Sequence, residues 1–296
     1  MEKHMKDIIE KAEILLEALP YIRNFYGKTF VIKYGGSAQT KDNLKVSFAR
    51  DIVLLNFIGI RTAIVHGGGP KISSMMEKMG KKPIFFEGQR ITDEETMDIV
   101  EMVLGGLVNK EIVSLINNHG GKAIGLSGKD ALMIQAKKKL IRKTAQAGGD
   151  EIIDIGLVGD ITSINPHILT SLEKDGFIPV ISPIGTGSKG ETFNINADYV
   201  AASIASALRA EKLILLTDVP GILDKKEKVI STATSRRIKK LIQDNTISGG
   251  MLPKVQSCLQ ALASGVSKTH IVDGRVPHCV LLEIFTKQGI GTEIKK

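Results

Sequence analysis

The chain has 296 residues, of which 43% are apolar and 24% charged, with 30 glycines and a formal net charge of +8. This length admits one large α/β domain or two lobes around a sizeable core, and the composition excludes a disordered or fibrous protein. No segment has the uninterrupted apolar length of a membrane span and none looks like a signal peptide; the two cysteines, Cys258 and Cys279, allow at most one disulfide, so buried thiols in a reducing cytoplasm are expected.

The lysines are scattered, and the short runs Lys137–Lys139 and Lys225–Lys228 lack interleaved aromatics. A solvated face is the first expectation, an anionic small-molecule substrate the second, and nucleic acid a weak third.

Residues 5–19 place Ile8, Ile9, Ala12, Leu15, Leu16 and Leu19 on one helical stripe, and Pro20 is expected to interrupt or bend that helix. So short a helix needs its apolar face covered, either by its own domain or by another subunit. From residue 28 the pattern alternates: strand 28–34, helix 43–57, strand 61–66, and a helix at 70–80 with Pro70 in its first turn. Thr92 and Glu95 make a capping-box pattern that opens one long helix from Asp93 towards His119. Strands are expected at 122–127, 131–137 and 152–164, then a helix at 166–176 ended by Gly176 and a strand at 177–182. A polar loop leads to a helix at 197–210, followed by strand 212–218, helices 235–245 and 251–265, strand 269–274 and helix 277–287. Strands alternating with helices predict βαβ units, an α/β fold with a mainly parallel sheet covered on both faces. A lobe boundary falls near residue 210, and ligands are expected beyond the carboxyl ends of the strands.

Four such ends carry unusual residues: Lys33-Tyr34-Gly35-Gly36, His66 followed by Gly67 to Gly69, the loop Gly190 to Asp198, and Leu216 to Asp224. Consecutive glycines let a backbone approach a ligand and turn its N–H groups outward, and a following helix start favours an anion. Lys33 alone reads as a strand-end lysine; next to two glycines, and one βα unit before a triple glycine, a phosphate role gains ground. Asp198 falls in a first helical turn, where capping is the plain explanation, and Lys254 falls in another, after Gly249 and Gly250. Two lysines, one carboxylate and two glycine turns are the parts of a phosphoryl-transfer site. The stretch Gly185 to Gly190 matches G-x-G-x-x-G, but no helix follows directly, so a mobile loop or lid is the better reading. There is no P-loop signature, and a lipase-type reading of the triple glycine lacks its G-x-S-x-G elbow.

The segments IKYGGSA, IVHGGGPKI, FFEGQRITDEETMDIVEMVLGGLVNKEIV, NINAD, LLTDVPGIL and GGMLPKV, in order and at natural spacing, resemble the amino acid kinase family, and within it the members acting on N-acetyl-L-glutamate. The resemblance implies an open αβα sandwich of two lobes, 27–209 for acetylglutamate and 210–296 for ATP, after an oligomerisation helix at 1–26. It implies transfer of the γ-phosphoryl group of ATP to the side-chain carboxylate in arginine biosynthesis, with Mg²⁺ carried by ATP and no dedicated metal site. It gives Lys33 and Lys254 the transferring phosphoryl group, Asp198 the orientation of both, and Gly36 and Gly68 the donated N–H groups. Gly68, Gly69, Arg90 and Asn194 would hold acetylglutamate, Arg90 through its α-carboxylate. Thr217, Asp218, Val219, Gly221, Ile222 and Leu223 would border the nucleotide, with Gly249, Gly250 and Met251 on its other side.

Arginine-inhibited members of the family are similar in carrying the N-terminal helix, which links dimers into a hexamer. Their arginine site implies roles here for Tyr21, His270, Asp273, Gly274, Arg275, Glu283, Gly289 and Gly291, with Gln288 standing where that pattern has an acidic residue. L-Arginine is thus an expected inhibitor, and no nucleic-acid or membrane partner is expected. The rivals are another amino acid kinase, acting on glutamate, carbamate, aspartate or UMP; a non-catalytic arginine or nucleotide sensor; and an NAD-binding oxidoreductase. Arg90 with the NINAD loop, the intact lysine–carboxylate set and the missing dinucleotide helix argue against each in turn.

Overall fold

The computed structural model describes residues 2–39, 41–144 and 150–296. In chain order its elements are α1 (Glu2–Phe25), β1 (Thr29–Tyr34), α2 (Asp42–Phe57), β2 (Arg61–His66), α3 (Gly69–Lys78), β3 (Phe85–Phe86), β4 (Gln89–Arg90), α4 (Glu94–Glu101), α5 (Asn109–Asn118), β5 (Ala123–Ser127), β6 (Ile134–Thr144) and β7 (Asp150–Ile164). Then follow α6 (His167–Lys174), β8 (Ile178–Ser182), β9 (Ile184–Thr186), β10 (Thr192–Asn194), α7 (Ala197–Ala207), β11 (Lys212–Thr217), β12 (Thr232–Thr234), α8 (Ser235–Gln243), α9 (Met251–Ala263), β13 (Lys268–Asp273), α10 (Cys279–Ile284) and β14 (Thr292–Lys295).

One eight-stranded sheet runs β12-β14-β13-β11-β1-β2-β8-β5. Only the β13–β14 pair is antiparallel within it. β1 lies between β2 and β11, with Lys33 opposite Val65 and Leu215. Its central strands β1, β2 and β11 are buried almost along their whole length because helices cover both faces. Alternation along β1 splits its side chains between two cores. Phe30, Ile32 and Tyr34 face α2, α5 and α10, whereas Val31 and Lys33 face the side of α7 and α9. Residues from both halves of the chain enter each core, so the cores are divided by the sheet and not by position 210.

Several short elements were not expected. β3 and β4 form a small hairpin, and β6, β7, β9 and β10 close into a separate small barrel. The segment read as a mobile loop is instead a turn of this barrel: β9 and β10 pair antiparallel, and Gly187 N–H donates to Glu191 O at 2.8 Å. β12 and β14 are too short for a periodic signal and exist by pairing with each other. The strand expected at 131–137 begins only at Ile134, after a 3-10 turn at Asp130–Leu132. The helix expected at 277–287 is shorter, spanning Cys279–Ile284.

Pro20 does not end α1, which continues to Phe25. The last turn is held by docking: Phe25 is buried edge-on against Phe30 at 5.2 Å, and Tyr21 meets Phe285 at 6.2 Å. The stripe before it is not docked on its own chain, since Ile9, Leu15, Leu16 and Leu19 are 51%, 74%, 65% and 48% exposed; the side chain of Ile8 lies outside those described. The cap of α4 is Asp93, whose carboxylate accepts from Thr96 N–H, and not Thr92. Thr92 is buried and committed elsewhere: its N–H donates to Ile155 O and its hydroxyl to Arg90 O. The helix that follows is continuous to Asn118 but passes through a π-helical turn at Met102–Val108. Among the described residues no helix is long and apolar enough to cross a membrane. Cys258 and Cys279 are buried free thiols.

Candidate active site

The carboxyl ends of β1 and β2 open onto a cleft of about 310 Å³, lined as well by Phe85 and Arg90 of the β3–β4 hairpin and by Asn194 to Asp198. Lys33 is the penultimate residue of β1, so a ladder on either side fixes its backbone. Its Nζ lies 2.8 Å from Asp198 Oδ1, and Lys254 Nζ lies 3.1 Å from Oδ2 of the same carboxylate. Asn196 caps α7 by accepting from Asp198 N–H at 2.8 Å, which sets the first helical turn and with it the direction of the Asp198 side chain. Capping is therefore the role of Asn196, and Asp198 is left for the lysines. Burial pushes the Asp198 carboxyl up, but Lys33 and Lys254 outweigh it, and the group titrates below the usual carboxylate range. Burial draws the Lys33 ammonium down; Asp198 opposes that, and Lys254 adds to it. The cluster carries one net positive charge, held in a mostly desolvated corner and aimed at the cleft.

The glycines divide by cause. A Cβ on Gly35 would stand 2.6 Å from Leu216 O, so Gly35 is required by the close pass of β11 and not by a ligand. Gly36, Gly67, Gly68 and Gly69 line the cleft, and at Gly67 and Gly69 a Cβ would meet nothing within 4 Å. At Gly68 a Cβ would stand 2.6 Å from Leu104 Cδ2 of the π-helical turn, a side-chain end that could shift. Arg90 lies across the mouth. Its Nη2 donates to Ser73 Oγ at 2.8 Å and to Gly69 O at 3.1 Å, and its guanidinium stacks over Phe85 at 4.7 Å. A guanidinium has more donors than these contacts use. Asn194 Nδ2 donates to Thr92 Oγ1 at 3.3 Å and lines the same cleft.

The remaining expected residues lie elsewhere. Thr217 and Asp218 sit at the carboxyl end of β11, Gly249 and Gly250 before α9, and Met251 at its start, along the same edge but outside the cleft lining. Ile222 is 1% exposed and packs in the core; Gly221 is fixed by φ 142° beside Thr292. The residues expected for arginine fall into two groups. Tyr21, His270, Glu283 and Gly289 line a second cavity, of about 350 Å³, with Lys212, Lys268 and Gln288. There His270 Nδ1 is 2.7 Å from Glu283 Oε1 and its Nε2 is 3.0 Å from Lys212 Nζ, while Glu283 Oε2 accepts from Ile290 and Gly291 N–H. Asp273, Gly274 and Arg275 are at the other end of β13, where Arg275 Nε and Nη2 donate to Asp273 and Gly274 N–H donates to Thr217 O. Residues three apart on a strand face opposite sides, so His270 and Asp273 point to opposite faces of the sheet.

Sequence reasoning missed Ser73, Phe85, Leu104 and Asn109. Asn109 had a signal: it lies three and seven residues before Ile112 and Ile116 on the apolar stripe of α5, a polar residue where burial was due. The first three carried none.

These features define a phosphoryl-transfer fold, and the chain belongs to the amino acid kinase family, whose model matches residues 28–273. Relatives along nearly the whole length carry a narrower name. An acetylglutamate kinase of Sulfurihydrogenibium sp. (strain YO3AOP1) is 56% identical over 98% of this chain and 99% of its own, and one of Syntrophus aciditrophicus (strain SB) is 59% identical over 96% and 97%. Among solved structures, an N-acetylglutamate synthase from Neisseria gonorrhoeae, complexed with coenzyme A and N-acetyl-glutamate, superposes with TM-score 0.83 at 26% identity; the match covers 96% of this chain and 63% of the synthase. A carbamate kinase from Giardia lamblia, at TM-score 0.64 and 16% identity over 91% and 99%, shares the fold.

Proposed function

We infer that the protein is a kinase that transfers the γ-phosphoryl group of ATP to the side-chain carboxylate of N-acetyl-L-glutamate, in arginine biosynthesis. The observation that carries this is the Lys33–Asp198–Lys254 set, its carboxylate buried, in the cleft that Arg90 also lines. A carboxylate oxygen of the substrate attacks the γ-phosphorus, the bond to the bridging oxygen breaks, and ADP leaves with the electron pair. The nucleophile is already ionised at neutral pH, so no general base is required. Catalysis is then positioning plus neutralisation of the charge spread over the transferred oxygens. Lys33 and Lys254 supply the positive charge, Asp198 keeps both ammonium groups aimed, and the backbone N–H groups of Gly36 and Gly68 meet the same oxygens. Arg90 takes the substrate α-carboxylate and Asn194 a polar group beside it. ATP lies along the carboxyl edge from Thr217 and Asp218 to Gly249 and Met251, bringing Mg²⁺ on its phosphates. The two halves meeting at β1 and β11 divide the work, 27–209 for acetylglutamate and 210–296 for ATP, within the cytoplasm.

L-Arginine as inhibitor fits the second cavity, where Glu283 and Glu293 offer carboxylates to a guanidinium or an amino group. An N-acetylglutamate synthase of the same fold, 27% identical to this chain, has been solved with L-arginine, and the match spans 65% of its length. The uncovered stripe of α1 is what a hexamer, a trimer of dimers joined through this helix, would bury. The test is ATP-dependent acyl-phosphate formation, trapped with hydroxylamine, from N-acetyl-L-glutamate and from L-glutamate, each with and without L-arginine. Turnover of acetylglutamate alone, suppressed by arginine, is expected; turnover of glutamate, or of neither, defeats the reading.

A further inference from the structure

The last residue of β2, His66, is fully buried directly before the triple glycine, and the reaction described above gives it no role. Its surroundings settle its tautomer. Asn109 Nδ2 lies 2.9 Å from Val180 O and 3.4 Å from Leu126 O, so its amide nitrogen must face these carbonyls. That same nitrogen is 3.2 Å from His66 Nε2, which must therefore accept. The proton is then on Nδ1, 3.2 Å from Gly67 O, and can be donated there. Gln39 Nε2 donates to the same oxygen at 3.3 Å and to Tyr34 O at 3.2 Å.

The Gly67 carbonyl is thus held by two donors. A trans peptide is planar, so its N–H points opposite to its C=O. The N–H of Gly68 consequently points away from His66 and Gln39, and Gly68 itself lines the cleft. Glycine has no side chain to resist rotation of this peptide, so external donors are what fix it.

We propose that His66, its tautomer locked by Asn109 and assisted by Gln39, is a positioning residue that aims the Gly68 N–H at the transferring phosphoryl group. The inference rests on the kinase reading but not on the identity of the acceptor.

The two amide replacements separate this role from packing. His66→Asn places an N–H at the position of Nδ1 and gives up the Asn109 contact; His66→Gln keeps a partner for Asn109 and loses the donor to Gly67. Steady-state kinetics of acyl-phosphate formation and the melting temperature are measured for both, beside wild type. The expected result is kcat within about threefold of wild type for His66→Asn and lower by about tenfold or more for His66→Gln, with KM for both substrates little changed, because the donor acts on the transition state. Equal losses in kcat, or losses that follow the melting temperatures, overturn the proposal. If neither His66 variant folds, Gln39→Leu decides: a fall in kcat at unchanged KM supports the aiming role, and unchanged kcat overturns it. Should wild type turn over another acceptor in place of acetylglutamate, the functional reading fails, and the same comparison with that acceptor still decides the role of His66.

Discussion

Asp198 holds Lys33 on one carboxylate oxygen at 2.8 Å and Lys254 on the other at 3.1 Å, so one side chain sets the positions of two cations that come from opposite ends of the chain. The substitution Asp198→Asn leaves the buried Lys33 ammonium and the partly buried Lys254 ammonium without their shared counter-charge. Loss of one partner of a buried ion pair costs about 3 kcal/mol or more. The expected outcome is kcat reduced by at least about a hundredfold and a lower urea midpoint, read from hydroxylamine trapping and equilibrium unfolding. A variant with near-normal kcat would show that the lysines need no orientation.

Arg90 is oriented by Ser73 Oγ and Gly69 O, contacts that a planar fork can make while still facing a carboxylate. Arg90→Lys retains the charge and loses the fork. KM for acetylglutamate should rise about 10- to 100-fold while kcat changes little, since the α-carboxylate is bound equally in ground and transition states. A fall in kcat at constant KM would instead place Arg90 at the reacting group.

Glu283, which meets His270 of β13, and Arg275, which follows that strand, make opposite predictions about arginine. Glu283 accepts from Ile290 and Gly291 N–H and meets His270, so it shapes the second cavity as well as charging it. Glu283→Gln should raise the half-inhibitory arginine concentration about tenfold or more. Arg275→Ala, at the far end, should leave that concentration within about twofold, which a titration of activity against arginine decides.

His66 also makes a prediction about pH. Burial pushes its pKa down to about 4, with the Gly67 carbonyl opposing. An imidazole whose folded pKa is depressed adds stability that is complete above its unfolded pKa of about 6.5 and is lost as pH falls through the folded value. The stability gap between wild type and the non-titrating His66→Asn should therefore narrow by about 3 kcal/mol from pH 7 to pH 4. Carboxylates titrate alike in both proteins and cancel in the difference. A gap independent of pH, by urea unfolding, would mean that His66 is not held neutral.

Much of this was legible in the sequence because it is local. β1, β2, β8, β11 and β13 are apolar runs bounded by turns, and Lys33, Asp198 and Lys254 stand out as charges at their ends or in first helical turns. The missed parts depend on residues far apart in the chain. β14 exists by pairing with β13 and β12, and Thr92 lost its capping role to a contact with Ile155 that no local pattern encodes. Gly35 looked like a ligand glycine and is a packing glycine, a distinction that requires knowing where Leu216 passes. The residues of the arginine pattern part in a way no local signal shows: neighbours in sequence, His270 lines the second cavity whereas Asp273 and Arg275 pair with each other beyond the opposite face of the strand.

The pairing of β1 with β11 joins strands drawn from before and after residue 210 into one hydrogen-bonded surface. Parting the halves would mean cutting that ladder and exposing apolar side chains on both faces at once. In calorimetric terms the sheet makes a single melting unit: on heating, the half that carries Arg90 and the half that carries Lys254 should give way together, in one endotherm.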